Sequence, residues 1–156
     1  MIEPERFACI VGAPRCGTTS LARYLKEHPG VRFSRIKEPH FFSRIELNEH
    51  SDEALRSIVE RDYLARYFKP PTDGEMLAEA SVSYLYAADH MHPVLRLWPD
   101  ARFIIAVRNP LDMLPSVHWR LLYTGDETVR DFEEACPAQP SGAPTAMVNV
   151  FVALRL

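Results

Sequence analysis

Apolar residues along this chain occur in two patterns that alternate. Four short runs are almost continuously apolar, as in parallel strands covered on both faces, and they predict strands at 7–11, 31–33, 76–79 and 102–107. Between them, apolar residues recur at helical spacing and predict helices at 18–26, 51–68, 93–97 and 110–122. The alternation predicts an α/β fold with right-handed crossovers, a parallel sheet, and ligands at the C-terminal ends of the strands.

The junction between the first strand and the first helix carries two glycines. Residues 12–21 read Gly-Ala-Pro-Arg-Cys-Gly-Thr-Thr-Ser-Leu. Gly12 and Gly17 allow tight turns and close approach of a ligand, and the N–H groups that open the helix point outward with the positive end of its dipole. The junction is therefore predicted to bind an anion. An ordinary strand-to-helix turn with an N-cap threonine is the alternative.

One cation in this loop indicates which anion it would bind. Nucleotide triphosphatases with the pattern G-x-x-x-x-G-K-[ST] place lysine after the second glycine, and here that position is Thr18. Arg15 is the one cation in the loop sequence, and its planar guanidinium can hold phosphate or sulfate oxygens in bidentate fashion. A magnesium-dependent triphosphatase or kinase is therefore the less favoured alternative.

Composition and charge exclude several other classes. The net charge is −3 and the pI is about 6.1, which argues against general binding of nucleic acid or anionic membrane. The three cysteines, Cys9, Cys16 and Cys136, are widely spaced without a C-x-x-C pair, so they give no metal pattern and suit a reducing compartment. No stretch approaches the roughly 18 apolar residues of a membrane span. These features predict a cytoplasmic protein.

The length of the chain predicts one domain, which we place at residues 1–135. Residues 136–156 differ in character. A proline-rich loop at 136–144 is followed by an apolar stub at 146–156. We therefore expect these last residues to be an atypical tail.

Three further segments, read with the first loop, resemble one family. Residues 37–42 read Lys-Glu-Pro-His-Phe-Phe, residues 79–85 read Glu-Ala-Ser-Val-Ser-Tyr-Leu, and residues 103–110 read Phe-Ile-Ile-Ala-Val-Arg-Asn-Pro, with Ser116 beyond them. In this order they resemble sulfotransferases, specifically bacterial enzymes similar to the heparan sulfate and tyrosylprotein sulfotransferase domains. The resemblance runs from about Arg6 to about Glu134 and implies a P-loop NTPase-like parallel sheet flanked by helices. The family continues beyond this point, so we expect a domain that is incomplete at its C-terminus.

The resemblance also implies a cofactor and a reaction. The donor would be 3′-phosphoadenosine 5′-phosphosulfate, the product adenosine 3′,5′-bisphosphate, and the acceptor a hydroxyl or amine of a small molecule or glycan. The residues implied for the phosphosulfate are Arg15, Cys16, Gly17, Thr18, Thr19 and Ser20. Those implied for the 3′-phosphate are Arg108 and Ser116. A catalytically incomplete nucleotide-binding fragment is the alternative function.

The same resemblance assigns the catalytic roles. Glu38 matches the general base of the family, and Arg15 would stabilise charge on the leaving phosphate, with Lys37 as a possible helper and no metal. His40 and His118 are rival bases, since imidazole titrates in the useful range. The segment that contains Ser81, Ser83 and Tyr84 corresponds to an acceptor-contacting segment of heparan-type relatives. Those relatives often have lysine where this chain has Ala80, which weakens the expectation of a sulfated polysaccharide acceptor.

Overall fold

The computed structural model describes residues 6–70, 72, 74–135 and 152–154. Its strands are β1 (Phe7–Gly12), β2 (Val31–Phe33), β3 (Met76–Ala80), β4 (Arg102–Ile105) and β5 (Val152–Leu154). Its α-helices are α1 (Thr18–Glu27), α2 (Phe41–Arg44), α3 (Asp52–Ile58), α4 (Ala65–Tyr67), α5 (His92–Leu97), α6 (Pro110–Thr124) and α7 (Phe132–Ala135). A π-helical segment, Val59–Leu64, joins α3 to α4, and 3₁₀ helices at Val82–Tyr86 and Ala88–Met91 precede α5. The four predicted strands and four predicted helical regions are confirmed.

The chain divides into two compact units. The first comprises residues 1–106 with 151–156, and the second comprises residues 107–150. In the first unit the strand order is β2-β3-β1-β4-β5, and the first four strands are parallel to one another. This arrangement confirms the predicted α/β fold. β5 pairs with β4 in the antiparallel direction. Apart from β5, the tail predicted at 136–156 lies outside the described residues.

β1 is the central strand of the sheet and is buried on both of its faces. Phe7, Cys9 and Val11 belong to a large apolar cluster on one face. Ile10 packs with Ala22 of α1 and Ala80 of β3 on the other. All six residues of β1 are buried, which explains why its sequence is continuously apolar rather than alternating.

The helical region that begins after Ser51 departs from a regular α-helix. The Ser51 hydroxyl accepts a hydrogen bond from Ala54 N–H and caps the N-terminus of α3. Leu55, Val59 and Tyr63 recur every four residues and are each 0% exposed. Because an α-helix has 3.6 residues per turn, this spacing would drift around its surface, and the wider π turn keeps the three side chains on one buried face.

Candidate functional site

The two glycines of the first loop are required for different geometric reasons. A Cβ on Gly12 would lie 2.8 Å from Cδ2 and 3.0 Å from Cβ of Leu85, so this close approach excludes a larger residue. Gly17 is the N-cap of α1 at φ 82°, where a side chain is disfavoured, and a Cβ there would meet open space. The start of the loop therefore needs glycine at position 12 because a side chain would not fit there. Its end needs glycine at position 17 because the backbone is left-handed there.

Backbone hydrogen bonds attach the start of this loop to the end of β4. Ala13 N–H donates to Ala106 O, and Ala106 N–H donates to Gly12 O, each at 2.8 Å. The loop therefore lies at the C-terminal edge of the parallel strands, where ligands of such sheets bind.

The loop and the first turn of α1 present donors suited to an anion. Arg15 is exposed, with φ 62°. Thr19 and Ser20 are also exposed, whereas Thr18 is buried. The ten-residue helix has no acidic residue in its first turn, so its positive N-terminal end is not neutralised there. This donor set fits phosphate or sulfate oxygens.

The described cysteines have environments that explain their residue type. Cys9 is fully buried in β1, and burial raises the pKa of its thiol, with the nearby Glu79 adding to the effect. Such a thiol is inert, as expected for a core residue. Cys16 is half-buried in the loop, and its thiol donates to Pro14 O at 3.4 Å. Cys136 lies outside the described residues.

The second predicted phosphate segment belongs to the second unit. Arg108 is exposed and follows β4 by three residues. The Asn109 side chain accepts a hydrogen bond from Leu111 N–H, and Pro110 occupies the first turn of α6, so the two residues cap and start the helix. Ser116 is half-buried on this helix. The unit thus places an exposed guanidinium at a capped helix start.

The turn that contains the predicted base is attached to β3. Glu38 N–H donates to Ala80 O at 2.7 Å, and Ala80 pairs with Ile10 of β1. The turn with Glu38 and the loop with Arg15 therefore lie at the same edge of the sheet, on segments held by neighbouring strands. Arg15 and Glu38, the two catalytic candidates in the first unit, thus lie at one edge of the sheet.

Glu38 lies between a cation and an imidazole. Its carboxylate accepts a short hydrogen bond from Lys37 Nζ, and its Oε2 is 3.3 Å from His40 Nε2. Its side chain is 31% exposed, so an acceptor in solution can reach it. The residues that sequence reasoning treated as rival bases are therefore in contact, which the sequence alone did not reveal.

Serine hydroxyls lie next to the Nδ1 side of the His40 ring. Ser83 Oγ lies 2.7 Å from His40 Nδ1, and Ser43 Oγ lies 2.8 Å from Ser83 Oγ. Ser43 Oγ also donates to His40 O at 3.2 Å, so Ser83 donates its own proton to Ser43 and accepts from His40 Nδ1–H. The hydroxyls thus fix the orientation of the His40 ring and leave Nε2 facing the carboxylate of Glu38.

A fully buried carboxylate lies beneath this turn. Glu79 is 0% exposed, and its Oε1 accepts from the hydroxyls of Tyr63 at 2.7 Å and Tyr84 at 2.8 Å, while its Oε2 accepts from Ser81 at 2.8 Å. Burial raises the pKa of Glu79, and the three hydroxyl donors oppose this shift. Ser81 and Tyr84, expected at the acceptor or cofactor, are 0% and 1% exposed and bond to Glu79 instead.

His118, the second rival base, is a core residue of the second unit. It is 6% exposed, its Nε2 lies 2.8 Å from Val129 O, and its ring packs edge-on against Phe132. Hydrogen bonding to a backbone carbonyl satisfies this nitrogen and gives His118 a structural role within the unit.

The described part of the chain offers neither a metal-binding cluster nor a membrane-spanning helix. Between residues 6 and 135, with residues 71 and 73 left out, no group of three or more His, Cys, Asp or Glu side chains is arranged to hold a metal ion. In the same described part of the chain, no helix has the length and apolar character needed to cross a bilayer.

Comparisons with known proteins agree on one family. A family model described as "Sulfotransferase family" matches residues 8–139. Human heparan sulfate glucosamine 3-O-sulfotransferase 6 is 33% identical over 104 residues, which cover 67% of this chain and 27% of that protein. Human carbohydrate sulfotransferase 15 is 57% identical over 35 residues, which cover 22% of this chain and 6% of that protein.

A solved structure supports the same grouping. The sulfotransferase from Alicyclobacillus acidocaldarius is 35% identical with a TM-score of 0.63, over 86% of this chain and 56% of that one. The chain therefore spans just over half of the bacterial structure and about a quarter of the human 3-O-sulfotransferase. Because the family match extends over most of its length, this chain belongs to the sulfotransferase family.

Proposed function

We propose that this chain transfers a sulfuryl group from 3′-phosphoadenosine 5′-phosphosulfate to a hydroxyl or amine acceptor. The observation that carries the proposal is the placement of Arg15 and Glu38 at one edge of the sheet, on segments held by the neighbouring strands β1 and β3. An exposed cation for the donor and an accessible carboxylate for the acceptor are the two groups that this reaction requires of a protein.

The donor would be held by its two anionic ends. Arg15, the backbone of Cys16 and Gly17, and the hydroxyls of the first turn of α1 would bind the phosphosulfate. Residues assigned to this end are Arg15, Cys16, Gly17, Thr18, Thr19 and Ser20. Arg108 and Ser116 would bind the 3′-phosphate. The exposed guanidiniums and the uncapped positive end of α1 support this assignment, since charge-assisted hydrogen bonds are the strongest available to such oxygens.

The donor supplies the sulfuryl group, which bonds to the acceptor oxygen or nitrogen as its bond to the phosphate oxygen breaks. Glu38 would take the proton that the acceptor loses. His40 Nε2 lies beside Glu38 Oε2 and would accept a hydrogen bond from the carboxyl group once Glu38 has taken that proton. Arg15 would neutralise the charge that develops on the leaving phosphate, and Lys37 would assist.

The acceptor is proposed as a small molecule or a glycan, in agreement with the carbohydrate substrates that the names of two relatives state. Ala80 replaces the lysine expected of heparan-type enzymes, so a neutral acceptor is favoured over a sulfated polysaccharide. The spacing of the cysteines supports a cytoplasmic location.

Nucleotide binding tests the two anion sites separately. Isothermal titration would compare adenosine 3′,5′-bisphosphate with adenosine 5′-monophosphate. Arg15→Ala should weaken both ligands by about 10- to 100-fold, the value of one or two charge-assisted hydrogen bonds. Arg108→Ala should weaken the bisphosphate alone and abolish its advantage over the monophosphate.

Arg23→Ala is the matched control for these variants. Arg23 lies on α1, the helix that follows the Arg15 loop, and pairs with Glu27 at the exposed surface, at 3.0 Å. Its removal should leave both affinities unchanged. Equal losses in Arg15→Ala and Arg23→Ala would indicate a general charge effect and contradict the proposed sites.

Nucleotide binding without turnover is the second candidate function. Transfer of labelled sulfate from the donor to a panel of phenols, alcohols, amines and sugars separates the two candidates. Turnover supports the enzyme, whereas tight bisphosphate binding with no transfer to any acceptor supports the second candidate.

A further inference from the structure

We propose that Glu79 is a positioning residue for the catalytic turn, which it holds through the hydroxyls of Ser81 and Tyr84. This inference rests on the proposed function, because it assigns a role in turnover to the turn that carries Glu38 and His40. Glu79 itself is fully buried and touches neither donor nor acceptor.

Each of the two hydroxyls forms a relay from the carboxylate to a backbone amide, one in the turn and one in α2, the helix that directly follows the turn. Ser81 Oγ donates to Glu79 at 2.8 Å and accepts from His40 N–H at 3.0 Å. Tyr84 Oη donates to Glu79 at 2.8 Å and accepts from Phe42 N–H at 3.3 Å. A hydroxyl that donates to a buried carboxylate becomes a better acceptor, since hydrogen bonds in series polarise one another. Glu79 therefore strengthens both attachments at once.

The turn needs such attachments because of its backbone. Glu38 and His40 both have positive φ, 65° and 54°, a conformation that L-residues with side chains adopt only when neighbouring structure enforces it. The Ser81 relay binds the amide of His40 itself, and the Tyr84 relay binds the amide two residues later. Loss of either relay should let the turn relax. Glu38 should then leave the position from which it would face the acceptor.

Tyr63 offers a control that matches Tyr84 closely. Both hydroxyls donate to the same oxygen of Glu79, at 2.7 and 2.8 Å, and the two residues are 0% and 1% exposed. The Tyr63 hydroxyl, however, lies outside the two relays described above. Tyr63→Phe and Tyr84→Phe therefore each remove one buried hydroxyl from one carboxylate oxygen and keep the ring, but only the second breaks a relay to the turn.

The experiment combines amide exchange with steady-state kinetics. Hydrogen exchange followed by NMR should be at least about 10-fold faster at Phe42 in Tyr84→Phe and at His40 in Ser81→Ala. It should be faster at both in Glu79→Gln and unchanged at both in Tyr63→Phe. The kcat should fall about 10-fold in Tyr84→Phe but not in Tyr63→Phe, while affinity for adenosine 3′,5′-bisphosphate stays at the wild-type value in both.

The outcomes separate this proposal from the proposed function. Equal effects of Tyr63→Phe and Tyr84→Phe on exchange and on kcat would overturn the positioning role, because they would show that Glu79 only contributes to general stability. Unchanged exchange at His40 and Phe42 in Glu79→Gln would also overturn it. If Glu79→Gln fails to fold, the pair of tyrosine variants decides. If the wild-type chain shows no turnover, the proposed function fails, and the exchange rates still decide whether Glu79 holds the turn.

Discussion

His40 Nε2 lies 3.3 Å from Glu38 Oε2, so the two groups that compete for the role of base form one pair. In the proposed reaction only one of them would remove the acceptor's proton, and the hydrogen-bonding pattern favours Glu38. The imidazole is already held on its other nitrogen by Ser83, whereas the carboxylate is 31% exposed. One nitrogen of the imidazole ring bonds to a hydroxyl, and the other lies next to a carboxylate. Such a ring is suited to orienting that carboxylate, as residues that contact a catalytic group commonly do.

Glu38→Gln should remove turnover while leaving donor binding intact. The amide keeps the size of the carboxylate but cannot take a proton, so we expect kcat to fall by at least about 100-fold, the lower range for a general base. Affinity for adenosine 3′,5′-bisphosphate should stay within about twofold of wild type. Glu27→Gln, on the exposed end of α1, is the control and should change neither quantity. A loss of affinity in Glu38→Gln would place this residue in the donor site instead.

Ser83→Ala should lower kcat without changing donor affinity. The variant removes the hydroxyl 2.7 Å from His40 Nδ1, so the ring loses the partner that fixes its orientation beside Glu38. One neutral hydrogen bond corresponds to about 1 kcal/mol, or roughly a fivefold to tenfold decrease in kcat. Ser83→Thr retains the hydroxyl and should restore most of the rate, which a purely packing role would not predict. Ser57→Ala, at an exposed position on α3, is the neutral control.

The free energy of unfolding should depend on pH through the titration of Glu79, and the sign of this dependence is unusual for a carboxyl group. Burial raises the pKa of this carboxyl above its ordinary value. An acid with a higher pKa in the folded chain binds more protons when folded, so its contribution to the free energy of unfolding falls as pH rises from the unfolded to the folded pKa. Glu75 contributes in the opposite sense, because hydrogen bonds from the Thr72 backbone N–H and from Arg32 lower its pKa.

Glu79→Gln isolates this contribution. Urea unfolding of both proteins at a series of pH values gives the free energy of unfolding of wild type minus that of the variant. We expect this difference to decrease as pH rises above about 4.3, the usual pKa of glutamate, and to level off above the folded pKa. A difference that increases with pH would mean that the three hydroxyls outweigh burial.

The sheet could be predicted from sequence because its strands are defined by local pattern. β1 is continuously apolar since both of its faces are covered, and the glycine-bracketed loop after it identifies the C-terminal edge where ligands bind. The placement of Glu38 at the same edge as Arg15 could be expected only from the resemblance, because no local signal in residues 37–42 relates them to β3.

The role of Glu79 could not be predicted, because its partners are distant in sequence. A glutamate at the end of a strand suggests a ligand-binding residue. In the structure, however, Glu79 accepts a hydrogen bond from Tyr63, which lies 16 positions away in the sequence. Phe42 donates to Tyr84 across 42 positions. The one signal that the sequence offered was the succession of Glu79, Ser81 and Tyr84, in which a strand and the 3₁₀ helix after it place both hydroxyls within reach of the carboxylate.

Alanine at the two loop glycines should destabilise the chain by separable mechanisms. In Gly12→Ala the new Cβ would meet Leu85 Cδ2 at 2.8 Å and Cβ at 3.0 Å, and such overpacking costs about 1–3 kcal/mol. In Gly17→Ala the cost is that of a left-handed backbone at φ 82°, about 1–2 kcal/mol, with open space around the methyl group. Leu85→Ala removes Cδ2 and Cγ, so it should recover part of the Gly12→Ala loss and none of the Gly17→Ala loss.

Double-mutant cycles from urea unfolding measure this difference. The Gly12→Ala and Leu85→Ala substitutions should show a favourable coupling of at least about 0.5 kcal/mol, as contacting residues do, whereas Gly17→Ala and Leu85→Ala should be additive. Coupling of equal size in both cycles would mean that Leu85 supports the whole loop rather than limiting the space at Gly12. Since Gly12 and Gly17 bracket the proposed phosphosulfate loop, both single variants should also weaken binding of adenosine 3′,5′-bisphosphate, and Leu85→Ala should restore it only in the Gly12 background.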